Sequence, residues 1–247
     1  MTTPLKAYRA RFGKVEGFFT EEAQVAWDFL LGNQALMNVR GDVVEIGVWK
    51  GKSAGLAALH MRPDETLTLV DIQDLKEVED RIRALGGPQV RSFTGKSSNF
   101  RASAAYRAIE PVRWFHIDGD HSGFSTTIDL NIAADLLGGH GIICVDDFFN
   151  PRYPQLAAAV FRFLFNRPEY RMLLCGANKV FICRSEDYAL YESLIRKYLA
   201  AHMASCGISV TIAKTSYAHD FGCFAIEGRQ GRHDVVGRDE DITDIVF

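Results

Sequence analysis

Long hydrophobic runs are missing from this chain. No stretch approaches the roughly 18 consecutive apolar residues of a spanning helix, so a membrane protein is not expected. The opening MTTPLKAYRARFGKVEG also lacks the apolar stretch of a secretory leader. No strong excess of one charge exists either: 28 Lys and Arg face 31 Asp and Glu, a formal net charge of −3. Without a basic field, nucleic acid and anionic membranes are not expected partners, although a local basic groove stays open. Cysteine is sparse. Five are present and no two stand in a CxxC spacing, which argues against a disulfide framework and against a zinc site built on cysteine. The thiols are expected to be reduced and structural, as in a cytoplasmic protein. Internal repeats and low-complexity linkers are absent, and one domain over residues 1–247 is the simplest expectation.

What is present is a regular alternation. After Gly41, short apolar runs predict strands over 43–48, 66–71, 89–95, 112–118 and 141–146. Helical patterns over 53–61, 76–85, 98–109 and 124–137 lie between them, the last with a stripe of Phe124, Ile128, Ile132 and Leu136. Five such repeats predict an α/β fold: a doubly wound, mostly parallel sheet with helices on both faces. Upstream, residues 1–19 read as a polar lead-in. Thr20 is placed to cap a helix whose first turn carries Glu21 and Glu22. Downstream, 155–165 reads as a helix, 170–175 and 179–184 as strands, and 186–203 as a long amphipathic helix with Tyr188, Tyr191, Ile195 and Tyr198. A late strand pair is expected at 209–213 and 223–226, and a charged tail at 228–247. The tyrosine-rich helix and the late strands offer a surface for a homo-oligomer.

In an open parallel sheet, ligands sit beyond the carboxyl ends of the strands. The first strand runs into Glu45-Ile46-Gly47-Val48-Trp49-Lys50-Gly51-Lys52-Ser53. A Walker phosphate loop needs glycine where Ile46 stands, and Glu45 would repel a triphosphate. The GxGxxG spacing of a dinucleotide fingerprint is absent. Glu-x-Gly-x-x-x-Gly resembles motif I of class I methyltransferases, whose loop cradles the amino-acid end of S-adenosylmethionine. An acid beside the loop suits that cationic ligand and not a phosphate. The second strand ends in Asp71, about twenty residues beyond the turn, where a carboxylate can accept ribose hydroxyls; an acid that merely opens a loop is the plain alternative. Ser97 and Ser98 follow the third strand, as ligand neighbours, helix caps or both.

Two further strand ends carry acids, in VRWFHIDGDHS and GIICVDDFFN. Neighbouring parallel strands would bring Asp118, Asp146 and Asp147 together. Three carboxylates in one cleft repel unless a cation holds them, and oxygen donors suit Mg²⁺, with Ca²⁺ or Mn²⁺ as alternatives. The competing reading has Asp146 and Asp147 capping the next loop and Asp118 touching cofactor alone.

The pattern EIGVWKGKS, VDIQD, HIDGDHS and CVDDF resembles the metal-dependent O-methyltransferases. The antibiotic-tailoring group is nearest, with its macrolide and aminocoumarin sugar O-methyltransferases and the cephalosporin-hydroxylase-like proteins. The chain is also in register with the catechol O-methyltransferases. The resemblance spans Glu16 to Arg184. It implies a seven-stranded Rossmann-like sheet, with 1–40 as an N-terminal lid, 41–184 as the cofactor core and 185–247 as a C-terminal appendage. It implies S-adenosylmethionine at Glu45, Gly47, Trp49, Gly51, Ser53, Asp71, Ile72, Ser97, Ser98 and Asp118. It implies a metal on Asp118, Asp146 and Asp147, with His121 and Asp118 as catalytic residues and His121 as the base. His116, inside its strand, reads as a core or cofactor-side residue. Phe148, Phe149, Asn150 and Tyr153 are expected to wall the acceptor pocket. The implied activity is methyl transfer to a hydroxyl of a small molecule, a sugar or other specialised metabolite. A cofactor-binding protein without transferase activity, serving another enzyme, is the alternative.

Overall fold

The computed structural model describes residues 3–215 and 221–228. Nine strands among them form one sheet in the order β3-β2-β1-β4-β5-β7-β6-β9-β8. They are β1 (Asp42–Ile46), β2 (Thr66–Asp71), β3 (Gln89–Thr94), β4 (Val112–Ile117), β5 (Leu137–Val145), β6 (Tyr170–Gly176), β7 (Lys179–Arg184), β8 (Val210–Lys214) and β9 (Phe224–Gly228). The first five are mutually parallel, and β7 pairs antiparallel with both β5 and β6. The expected seven strands become nine because the late pair joins the same sheet: β9 lies parallel to β6, and β8 closes the edge antiparallel to β9. Of the tail expected at 228–247, only Gly228 falls within the described residues.

Alternation of side chains along the central strands feeds two cores. Val43, Trp114, Ile142 and Cys144 face one side, and Val44, Phe115, Ile143 and Val145 the other. The first side is covered by α1 (Pro4–Phe12), α2 (Glu21–Leu36), α3 (Lys52–Leu59), α4 (Lys76–Arg83) and the C-terminal helical segment. The second is covered by the short α5 (Ser97–Phe100), by α7 (Gly123–Leu136) and by α8 (Pro154–Asn166), with α6 (Ala104–Arg107) beside them.

Five expectations change. The polar lead-in contains α1, capped by Thr3, with Leu5, Tyr8 and Phe12 buried. The helix expected at 98–109 is two single turns, because Ser103 is extended and its hydroxyl accepts from Tyr106 N at 3.0 Å, starting a new helix. Strand β5 begins at Leu137, four residues early, through an irregularity between its pairing to Val112 and to Trp114. The stripe on α7 is also displaced. Ile132 is buried, but Phe124 is 76% exposed, and Thr126, Asp129, Leu130 and Ala133 fill the inner face. The long C-terminal helix is real but segmented. A 3₁₀ turn (Ser185–Asp187) leads into α9 (Tyr188–Leu194), a π turn (Ile195–Leu199) and α10 (Ala200–Ser205). Tyr188, Tyr191 and Ile195 are buried there, whereas Tyr198 is 46% exposed. Among the described residues no helix is long and apolar enough to cross a membrane. The cysteines are free, and Cys175 and Cys223 lie 3.6 Å apart, sulfur to sulfur.

Candidate active site

Strand register sets the site. Ile46 of β1 is level with Val70 of β2 and with Ile117 of β4, and Ile117 is level with Val145 of β5. The residues that follow these four ends therefore converge. Strand β1 lies between β2 and β4, so the chain reverses its winding direction there. Gly47 crosses this point with φ +83°, and a Cβ there would sit 1.8 Å from the Asp118 carbonyl oxygen. Only glycine lets the two strand ends approach so closely.

A cavity of about 1120 Å³ opens over these ends. That exceeds the roughly 300–1,000 Å³ of an ordinary ligand pocket, so it has room for two molecules. One half is walled by Gly47, Trp49, Asp71, Ile72, Ser97 and Ser98. Asp71 Oδ2 accepts from the backbone N–H groups of Val48 (2.7 Å) and Trp49 (2.8 Å), and Oδ1 accepts from Gln73 N (2.9 Å). The carboxylate thus braces the turn, and its remaining lone pairs face the cavity. Trp49 has φ +47°, and its ring stacks on Phe18 at 6.2 Å. Three residues expected at the cofactor do not line the wall. Gly51 caps α3 in a left-handed conformation against Val78. Glu45 is buried beneath the turn, and the Ser53 hydroxyl donates to it. Ser53 is therefore turned away from the position assumed for a cofactor carboxylate.

The other half holds the acids. Asp118, His121 and Asp147 offer atoms within 4.8 Å of one another, as do His116, Asp118 and Asp146. His121 Nε2 lies 3.1 Å from Asp147 and 3.5 Å from Asp118. The hydrogen bond to Asp118 raises the His121 pKa against the opposing effect of burial, and Asp147 adds to it. Desolvation raises the Asp118 carboxyl, with His121 opposing and the Asp146 charge reinforcing it. The Tyr153 ring packs on His121 at 4.2 Å between centroids, and the Gln155 amide donates to the His121 carbonyl. Asp147, at φ +56°, is pinned by two amides: Asn150 Nδ2 at 2.9 Å and Asn178 Nδ2 at 2.6 Å.

Two buried nitrogen-bearing side chains lie below. His116 is wedged between Glu45 (3.3 Å) and Asp146 (3.9 Å), with the Trp27 ring against it. The Lys179 ammonium forms an ion pair with Asp146. Burial lowers the Lys179 pKa, but the Asp146 charge, with Asp118 adding to it, outweighs this and the pKa is raised. Lys179 and Asn178 were not foreseen; the only signal was a lysine opening an otherwise apolar strand. Of the expected acceptor wall, Asn150 and Tyr153 line the cavity, joined by Arg152. Phe148 is core, and Phe149 is 55% exposed outside it, because the turn after Asp147 sends both away.

The donor set fits a hard divalent cation: carboxylate oxygens dominate and no thiolate is near. A family model described as a methyltransferase domain matches residues 44–148, the stretch that carries most of the cavity's lining. The methyltransferase resemblance thus rests on residues 44–148. Solved structures sharing this fold include the O-methyltransferase NovP (21% identity, 66% of this chain and 80% of that one, TM-score 0.53). MycE from the mycinamycin biosynthetic pathway, in complex with Mg and SAH, is 16% identical over 74% of this chain and 55% of its own, TM-score 0.56. An O-methyltransferase from Bacillus cereus in complex with SAH is 14% identical over 74% of this chain and 89% of its own, TM-score 0.53. No curated protein sequence matches the chain. The resemblance to class I methyltransferases and the Rossmann-like fold are borne out.

Proposed function

We propose that this methyltransferase domain moves the methyl group of S-adenosylmethionine to a hydroxyl oxygen of a small molecule, a sugar or other specialised metabolite, beside a divalent metal. The observation that carries the reading is the convergence of Asp118, Asp146, Asp147 and His121 in one half of a cavity whose other half is walled by the glycine turn and Asp71. Neighbours of this fold support it: MycE was solved with Mg and SAH, and CalS11 is a TDP-rhamnose 3'-O-methyltransferase.

Gly47, Trp49, Asp71, Ile72, Ser97 and Ser98 would hold the cofactor, which supplies an electrophilic methyl group. Phe18 and Thr20 close that half from the N-terminal side. Asp118, Asp146 and Asp147 would hold Mg²⁺, with Ca²⁺ or Mn²⁺ as substitutes; a metal there lowers the pKa of a hydroxyl and fixes its position. His121 Nε2 is the base that takes the hydroxyl proton. Tyr153 packs on its ring, the Gln155 amide fixes its backbone carbonyl, and Asp147 is positioned to stabilise the imidazolium that forms. Asn150 and Asn178 fix Asp147, so the base and the metal donor keep one geometry.

The test replaces Asp147 with Asn. Methyl transfer to hydroxyl acceptors should fall by about 10²-fold or more, while calorimetric binding of S-adenosylmethionine stays within a few-fold of the parent. Activity of Asp147→Asn that persists at parental level in excess EDTA would sink the metal reading.

A further inference from the structure

Lysine is rarely buried, because removing an ammonium from water costs several kcal/mol unless it is paired. Lys179 is 2% exposed and opens β7 directly after a two-residue turn, Ala177-Asn178, with φ +50° and +64°. The pairing of Gly176 with Lys179 closes that turn and aims the side chain at the floor of the cavity. Its ammonium meets Asp146 and lies 5.4 Å from the Phe19 ring centre. The two oxygens of Asp146 are then both engaged: Oδ1 accepts from Asp147 N at 2.8 Å, and Oδ2 accepts from Lys179.

We propose that Lys179 is a resident cation of the acidic floor, which neutralises Asp146 when no metal is bound and tempers the affinity of the site for divalent ions. The proposal rests on the metal reading above. Its basis is charge and geometry. Three carboxylates line one half of the cavity, and one of them, Asp146, already has an ammonium partner inside the protein. Asp118 and Asp147 remain, two carboxyl groups flanking His121, as oxygen donors for a divalent ion. Without Lys179, Asp146 would keep only His116, 3.9 Å away, as a basic partner among the described residues, and the acidic ends of β4 and β5 would repel across the empty site. With Lys179, β4, β5 and β7 stay packed around an empty site, and the ion is held against a like charge that weakens it. Lys179 is therefore a positioning residue; it is not assigned contact with the reacting atoms.

The experiment uses the full chain, with Mn²⁺ titrated calorimetrically and thermal unfolding followed in EDTA and in Mn²⁺. Lys179→Met removes the charge. Lys179→Gln removes the charge but keeps a hydrogen-bond donor for Asp146. Both variants should bind Mn²⁺ about tenfold or more tightly than the parent, because a like charge beside the ion is gone. Both should melt lower than the parent in EDTA and regain more of that loss in Mn²⁺ than the parent gains. If Lys179→Met folds only with Mn²⁺ present, the proposal holds in its strongest form. A parent that binds Mn²⁺ together with variants that bind it equally or more weakly would overturn the role of Lys179 alone. A parent that binds no Mn²⁺ would overturn the metal reading and this proposal with it.

Discussion

Asp129 lies on α7 at 1% exposure, beneath the glycine that follows Asp118, and no basic side chain pairs with it among the described residues. Burial raises its pKa to about 6; a Ser97 hydrogen bond opposes this and the Asp120 charge adds to it. The folded state therefore keeps a proton that the unfolded chain, with an ordinary carboxyl near 4, has already lost. Stability should fall as pH rises from about 4 to about 6 and then level off. Asp129→Asn should remove that slope in urea unfolding and stabilise the protein at pH 7 by on the order of 2 kcal/mol. A variant whose pH profile keeps the parental slope would assign the slope to another group. The same scale separates what was legible from what was not. Asp118, Asp146 and Asp147 could be read as a cluster because acids at successive parallel strand ends must meet. Asp129 could not, because its neighbours come from elements distant in sequence.

At the scale of elements, α1 is the clearest departure from expectation. Its sequence PLKAYRARF looks polar because Lys6, Arg9 and Arg11 interrupt it, yet Leu5, Tyr8 and Phe12 sit on one face. That face packs on α3, where Gly55 leaves the space: a Cβ there would come within 2.3 Å of the Phe12 ring. Phe12→Ala should cost about 3–5 kcal/mol, the usual range for truncating a fully buried aromatic. Amide hydrogen exchange should show the loss at residues 4–12 and in α3. If exchange changes nowhere in α3, the packing of α1 is not what holds it. Helix α2 was legible at its start because Thr20 accepts from Ala23 N and the acids stand in the first turn, but it stops at Leu36, short of Gly41. The 98–109 segment was misread because apolar spacing there outvoted one serine whose side chain prefers the backbone.

At the scale of the whole molecule, Asp28 on α2 joins distant parts of the chain. Its carboxylate meets His60, just after α3, at 3.0 Å and His202 on α10 at 3.1 Å. Burial would raise its pKa, but the hydrogen bonds from His202 and His60 outweigh this and hold it well below the ordinary carboxylate range. A depressed acid contributes stability above its unfolded pKa and loses it as pH falls through the folded value. Asp28→Asn should therefore lower the melting temperature at pH 7 and flatten the acid limb below about pH 4. An acid limb as steep as the parent's would show that other carboxylates carry it. The clasp matters for function only indirectly: it ties the C-terminal helical segment to the face from which α2 supports the cavity.

The sequence alone determined the layer architecture, the presence of the first seven strands and the glycine turn, because periodicity and φ requirements are local properties. It also determined that Asp71, Asp118, Asp146 and Asp147 share one end of the sheet, since register in a parallel sheet follows from the strands themselves. Only the tertiary structure decided that β8 and β9 extend that sheet, because an edge strand's partner is chosen across the fold. Only it decided that Ser53 turns to Glu45, that Phe148 belongs to the core, and that Lys179 comes beneath Asp146. Those outcomes depend on which side chains meet across elements far apart in the chain, and no spacing within a segment encodes them.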